Sequence, residues 1–145
     1  MIFVDVNLLV YIVNADSPFH APAKAWWERE LKTGQPVCLS WNSLYGFLRV
    51  ITNQKALPQP LTIDQALHFI EDWLALAPIT LIAQTDDHFK HLKKLLAHRS
   101  AASQLITDAH FAALSLEYDC EICTVDGDFS KFPGIRWKNP FAQPK

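Results

Sequence analysis

The sequence predicts an α/β fold, with a central parallel sheet of four to five strands and helices on both faces. Short apolar runs rich in strand formers alternate with longer helical stretches nearly throughout, as in a sheet whose crossovers are helices. Half of the 145 residues are hydrophobic and only 19 % are charged, a globular composition with enough apolar material for one sizeable core. No repeat, low-complexity stretch or linker divides the chain, so residues 1–145 are expected to form a single domain.

Met1 to Val4 reads as the first strand and ends at Asp5; an apolar run, Leu8 to Val13, follows. Pro22 to Leu31 reads as a helix, with proline in its first turn and Gly34 just past its end. Pro36 to Trp41 is the second strand. Asn42 or Ser43 can cap the next helix, where Leu44, Phe47, Leu48 and Ile51 form an i, i+3, i+4, i+7 stripe. Pro58 and Pro60 mark the loop that stops it. Thr62 and Gln65 form a capping-box pattern for a helix running to about Leu76. Pro78 to Ala83 is the third strand, and Thr85 starts a helix reaching about His98, with Phe89, Leu92 and Leu96 on one side. Thr107 and Asp108 open a helix whose Ala109, Ala112, Ala113 and Leu116 make a small, close-packing face. Glu121 to Val125 is the fourth strand, and Ile135 to Trp137 a short edge strand.

Composition excludes several classes. A net charge of −2, with Lys and Arg scattered, argues neither for nor against nucleic acid. The longest apolar runs stop well short of a membrane span, and no cationic stretch precedes an apolar block at the N-terminus, so a cytoplasmic protein is expected. Three cysteines make no disulfide framework. Cys120 and Cys123 form a lone C-x-x-C inside an expected strand and read as packing residues, as does Cys38. His88 and His91 lack a third ligand and read as a solvated or partly packed helix face. Four glycines are too few for phosphate-cradling loops. Five Trp in a small domain suggest that some serve an interface, although packing would account for most.

In open α/β sheets, ligands bind beyond the carboxyl ends of the strands. Asp5 follows the first strand there and Asp126 the fourth, while Asp108 opens a helix whose free amides favour an ionised carboxylate. If the two strands are neighbours, the three acids converge. Clustered carboxylates repel one another and so imply a cation, and oxygen-only ligands point to Mg²⁺ or Mn²⁺ over zinc. Taken singly, Asp108 also reads as a helix cap, and Asp126 and Asp128 as turn formers. For Asp5, turn chemistry gives little reason.

Four segments in order carry a resemblance: Phe3-Val-Asp5-Val-Asn7; Leu39-Ser-Trp with Phe47-Leu-Arg-Val-Ile-Thr-Asn; Thr107-Asp108-Ala-His-Phe-Ala-Ala; and Thr124-Val-Asp126-Gly-Asp128-Phe. The chain resembles PIN-domain ribonucleases, and among them the VapC toxins of bacterial toxin–antitoxin pairs. The resemblance implies an α/β/α sandwich and Mg²⁺- or Mn²⁺-dependent endonucleolytic cleavage of RNA, transfer RNA being a target among several relatives. It also implies homodimerisation and inhibition by a cognate VapB-like antitoxin. Asp5, Asp108 and Asp126 fall on the family's acidic, metal-binding positions, with Asn7, Thr124 and Asp128 as supporting polar residues.

There is one departure. Similar toxins carry a glutamate three residues before the arginine of the helix after strand two, and here Ser43-Leu-Tyr-Gly-Phe-Leu-Arg49 places Gly46 there. Helical spacing sets position 46 opposite the apolar stripe, where a side chain could reach a cleft. A glycine inside a helix costs roughly 1 kcal/mol relative to alanine, so the helix gains nothing obvious from it. Two readings follow: a natural variant with weakened metal binding, or, favoured here, an inactivated form. A silent module that still binds antitoxin or RNA is therefore the alternative to a working enzyme. A haloacid-dehalogenase-like phosphatase also opens with an acid after strand one, but wants a second acid where Asn7 stands.

Overall fold

Five short strands, all parallel, form one sheet: β1 (Ile2–Val4), β2 (Val37–Leu39), β3 (Ile79–Leu81), β4 (Glu121–Cys123) and β5 (Trp137–Lys138). They come from a computed structural model that describes residues 1–97 and 102–142. The strand order is β3-β2-β1-β4-β5, so β1 is central and the chain reverses direction across it. Six helices connect the strands: α1 (Val6–Val13), α2 (His20–Leu31), α3 (Trp41–Ile51), α4 (Ile63–Leu74), α5 (His88–Leu96) and α6 (Ile106–Glu117).

Alternation along the strands splits the core into two layers. Ile2, Val4, Val37 and Leu39 face α1 to α4, where Trp26, Trp27, Trp73 and Phe47 form a buried aromatic group. Phe3, Cys38 and Ile122 face the other way, onto Leu95 of α5 and the small face of α6 made by Ala109, Ala112 and Ala113. The sandwich the sequence implies is thus observed. Three of the five Trp are core residues, and Trp41 is the clearly exposed one. The cysteines are free and buried, with thiols pushed up by burial to about 11 for Cys38 and about 12 for Cys120 and Cys123.

Several boundaries differ from the sequence reading. α1 was legible only as an apolar run, because Leu8, Leu9, Val10 and Ile12 are all buried and the helix lacks a polar face to give it a period. The cap of α3 is Ser40, not Asn42 or Ser43; the Ser40 hydroxyl accepts from the Ser43 amide while the Ser43 hydroxyl accepts from the Ser40 amide. The Thr62–Gln65 capping box is present as expected. α5 begins at His88 and not at Thr85, and its expected end near His98 lies outside the described residues. Phe89 is 74 % exposed rather than packed with Leu92 and Leu96.

Candidate metal centre

β1 and β4 are neighbours, with Val4 beside Cys123, and the Asp5 amide donates to the Cys123 carbonyl at 3.1 Å. The carboxyl ends of these two strands, at the point where strand order reverses, open the crevice in which ligands bind in such sheets. Asp5 caps α1: its Oδ1 accepts from the Val6 amide at 2.7 Å. Its Oδ2 accepts from the Thr124 hydroxyl at 2.6 Å and from the Asn7 amide nitrogen at 2.9 Å. Thr124 is the hub, because its oxygen also accepts from Asn7 Nδ2 at 3.0 Å and from the Asp126 amide at 2.9 Å. Asn7 cannot be turned over without setting its oxygen against the Asp5 carboxylate. Its Oδ1 therefore stays buried with no hydrogen-bond partner. A cation would satisfy it.

This network yields a first prediction. Thr124→Val keeps the shape but leaves the Asp126 amide without its acceptor and Asp5 Oδ2 with the Asn7 bond alone. Cleavage is expected to drop roughly 10- to 100-fold, as for other groups that orient ligands, with Thr124→Ser close to wild type. Initial rates of RNA cleavage for the two variants check it.

Asp5, Asn7, Asp108 and Asp126 line one cleft of about 430 Å³ whose apolar wall includes Val6 and Phe111. One carboxylate oxygen each from Asp108, Asp126 and Asp128 lie within 4.8 Å of one another. Asp126 caps a short 3₁₀ turn (Gly127–Lys131) by accepting from the Asp128 amide at 2.8 Å, and Lys131 pairs with Asp128 at 2.6 Å. Asp108 sits in the first turn of α6, whose N-terminus has no side-chain cap, so the capping reading of Asp108 does not hold.

The tight group is thus Asp108, Asp126 and Asp128, with Asp128 closer than the sequence suggested. Asp5 is a bonded, buried charge behind them. Hard oxygen donors, including the orphan Asn7 Oδ1, suit a divalent cation of the Mg²⁺ or Mn²⁺ type.

The electrostatics agree. Burial raises Asp5 above the usual carboxylate range, with Asp126 adding to the shift, against the hydrogen bonds from Thr124, Val6 and Asn7. Burial, then the charges of Asp5, Asp126 and Asp128, push Asp108 up to about 6, against the pull of Lys131. The helix start was expected to favour the ionised form; burial and three like charges outweigh it. Metal binding must displace that proton, so Mn²⁺ affinity is expected to weaken as pH falls through about 6. Calorimetric titrations in buffers of different ionisation enthalpy would show the released proton; a flat affinity between about pH 7 and pH 5 would contradict the assignment.

A second polar group lies on the α5–α6 side. The Glu117 side chain is 1 % exposed, and its Oε1 accepts from the Thr85 amide and hydroxyl at 2.8 and 2.6 Å. Its Oε2 takes His88 Nδ1 at 2.6 Å, and His88 Nε2 meets His110 Nδ1 at 2.9 Å. Burial opposes the Glu117 charge, but the bonds from His88 and Thr85 hold its carboxyl below the usual range. His88 was expected on a solvated or partly packed face; only 14 % of its side chain is exposed. This group escaped the sequence reading because Glu117 stands 29 positions from His88. The sole local hint was His110 two residues after Asp108.

Gly46 also proves different. It is buried, and a Cβ built there would lie 2.6 and 3.2 Å from the two Val6 methyls. The glycine therefore lets α3 approach the start of α1, which supplies the benefit the sequence did not show. Position 46 faces Val6, and Val6 lines the cleft in its place.

Fold and site together define a parallel α/β protein with a carboxylate-lined cleft at the switch point of its sheet. The PIN domain family model matches residues 2–135, and the chain belongs to that family. It is 34 % identical over 143 residues to Ribonuclease VapC33 of Mycobacterium tuberculosis, covering 99 % of this chain and 100 % of that protein. It is 35 % identical over 142 residues to Ribonuclease VapC37 of the same organism, covering 98 % and 99 %. The solved structure of VapBC2 from Rickettsia felis, bound to a DNA fragment from their promoter, superposes with a TM-score of 0.70 at 16 % identity, covering 96 % of this chain and 98 % of that one. That last likeness concerns the fold alone.

Proposed function

We propose that the chain is a divalent-metal-dependent endoribonuclease, the toxin of a toxin–antitoxin pair. The observation that carries this reading is the acid cluster at the β1/β4 switch point with the orphaned Asn7 oxygen beside it, in a chain whose full-length relatives are named ribonucleases. Asp108, Asp126 and Asp128 are the groups that would hold Mg²⁺ or Mn²⁺, with Asp5 and Asn7 completing the site. A bound cation supplies a polarised water and offsets the charge that builds on the phosphate as the bond breaks. The residues do the positioning. Thr124 fixes Asp5 and the Asp126 backbone together, so two strand ends act as one frame. Below about pH 6 the Asp108 proton would be displaced by a bound cation, and Lys131 pairs with Asp128 at 2.6 Å.

Gly46 and Val6 are read as a fitted pair of the native protein and not as a lesion. A glycine introduced at a glutamate position would leave vacated space, whereas here Val6 occupies the place of the missing Cβ.

The antitoxin reading rests on the same relatives and on an apolar stripe on the outer face of α4. Ile63, Leu67 and Leu74 recur there at helical spacing and are 55, 46 and 38 % exposed. A homodimer is part of this proposal, as is a cytoplasmic location; among the described residues no helix is long and apolar enough to cross a membrane. The test is Mg²⁺- or Mn²⁺-dependent cleavage of labelled RNA by the wild type against Asp5→Asn. Cleavage by the wild type alone is expected. Equal and negligible cleavage would leave the silent antitoxin- or RNA-binding module.

A further inference from the structure

Beside the acid cleft lies a second one, of about 360 Å³, lined by Asn42, Tyr45 and Arg49 of α3 and by Ile106, Thr107 and His110 of α6. Thr107 lines both, so the two clefts adjoin at that residue. Asn42, Tyr45 and Arg49 are spaced i, i+3, i+7 and share one face of α3. Arg49 is exposed and forms no ion pair among the described residues, leaving its guanidinium free for an anion. Tyr45 is 53 % exposed and leans on Trp41, ring centroids 5.7 Å apart, which offers a flat apolar surface at the rim.

His110 is the element that makes this cleft selective. A carboxylate has no proton to give, so Glu117 Oε2 accepts and His88 Nδ1 donates. When both imidazoles are neutral, His88 Nε2 is the acceptor and the contact at 2.9 Å is a donation from His110 Nδ1. The ring nitrogen of His110 left over, Nε2, carries a lone pair. A lone-pair acceptor in a groove that also holds a guanidinium needs a ligand with an anion and a donor close together. A ribonucleotide has both, a phosphate and a 2′-hydroxyl; a deoxyribonucleotide lacks the sugar donor. Stacking of its base on an aromatic ring needs no particular sequence.

We propose that the cleft between Arg49 and His110 is a ribonucleotide subsite flanking the cleaved bond, in which His110 accepts the 2′-hydroxyl hydrogen and Arg49 holds the phosphate. The Glu117–His88 pair acts as a positioning device that fixes the tautomer of His110. The subsite rests on the ribonuclease reading, and deepens it by assigning how RNA is told from DNA.

The test is equilibrium binding without cleavage. A fluorescein-labelled 12-nucleotide single-stranded RNA and the DNA of the same sequence are titrated with the full-length protein in EDTA at low salt, followed by anisotropy. The wild type is expected to prefer RNA. His110→Phe should lower RNA affinity roughly three- to tenfold, the worth of one hydrogen bond, while DNA affinity stays unchanged. His110→Gln, which keeps an acceptor, should retain part of the preference, and His88→Phe should lose it with the His110 side chain still present. Arg49→Ala should weaken RNA and DNA alike. A wild type that binds both equally or neither, or a His110→Phe protein that melts like the wild type and keeps its RNA preference, overturns the proposal. So does an Arg49→Ala protein whose oligomeric state changes while its RNA affinity does not, since the face would then belong to a protein interface. Failure of the ribonuclease reading shows separately, as a wild type that binds RNA preferentially but does not cut it when Mg²⁺ or Mn²⁺ is added.

Discussion

Asp108→Asn is expected to lower RNA cleavage by at least roughly 100-fold, because loss of groups that merely orient a ligand already costs 10- to 100-fold. In the same protein the metal-free fold should become more stable. In the folded protein the Asp108 carboxyl is pushed up to about 6, above its ordinary value of 3.8. The folded form therefore holds a proton that the unfolded form has lost between those values. The stabilisation from that proton is complete below 3.8 and is lost as pH rises through about 6. At neutral pH the wild type carries the cost of burying the Asp108 charge and its repulsion against Asp5, Asp126 and Asp128; the asparagine variant carries neither. Its melting temperature should exceed that of the metal-free wild type at about pH 7, with the gap closing towards about pH 4. Saturating Mn²⁺ should reverse the order, since only the wild type gains from the ion. Thermal melts of both proteins, with EDTA and with Mn²⁺, read all of this; a variant less stable than the metal-free wild type at neutral pH would remove the electrostatic account of the cluster.

The second large effect concerns Gly46. In Gly46→Ala the new methyl would sit 2.6 Å from a Val6 methyl, so α1 and α3 must part or Val6 must turn. Overpacking of this kind costs about 1–3 kcal/mol, and alanine recovers roughly 1 kcal/mol of helix propensity. A net loss of up to about 2 kcal/mol is expected by denaturant unfolding. Because Val6 directly follows Asp5 and borders the cleft, cleavage should fall as well. Val6→Ala removes the obstructing methyls, so the double variant should be more stable than the sum of the two single changes allows, by about 1 kcal/mol or more. Additive single effects would show that the two residues do not share the space. Gly46→Glu in the Val6→Ala background then asks whether an acid at 46 can reach the cation. Unchanged Mn²⁺ affinity there would place the position outside the site.

These two residues also show where sequence reading ends. The strand–helix alternation, the Thr62–Gln65 capping box and the positions of Asp5 and Asp126 after their strands depend on local chemistry and were legible. Adjacency of β1 and β4 was not, though the convergence of the acids depended on it. Asp108 was legible as an acid at a helix start, but its proton affinity is set by burial and by three carboxylates that only the fold brings near. Gly46 looked like a defect because its reason is a methyl group 40 residues earlier in the chain. The Glu117–His88–His110 chain was invisible for the same reason, as its members come from two helices whose docking no periodicity announces. α1 was missed by a different route: burial on most sides erased the pattern by which helices are recognised.

Asp108, Asp126 and Asp128, framed by Asp5 and Thr124, are expected to bind a divalent cation on which RNA cleavage depends. Mn²⁺ binding by electron paramagnetic resonance tests it most directly, with the wild type and Asp126→Asn titrated side by side and cleavage measured on the same samples. The wild type should take up Mn²⁺ and cut RNA in proportion to its occupancy, and Asp126→Asn should do neither. Equal Mn²⁺ uptake by the two proteins, or cleavage that persists in EDTA, would contradict it.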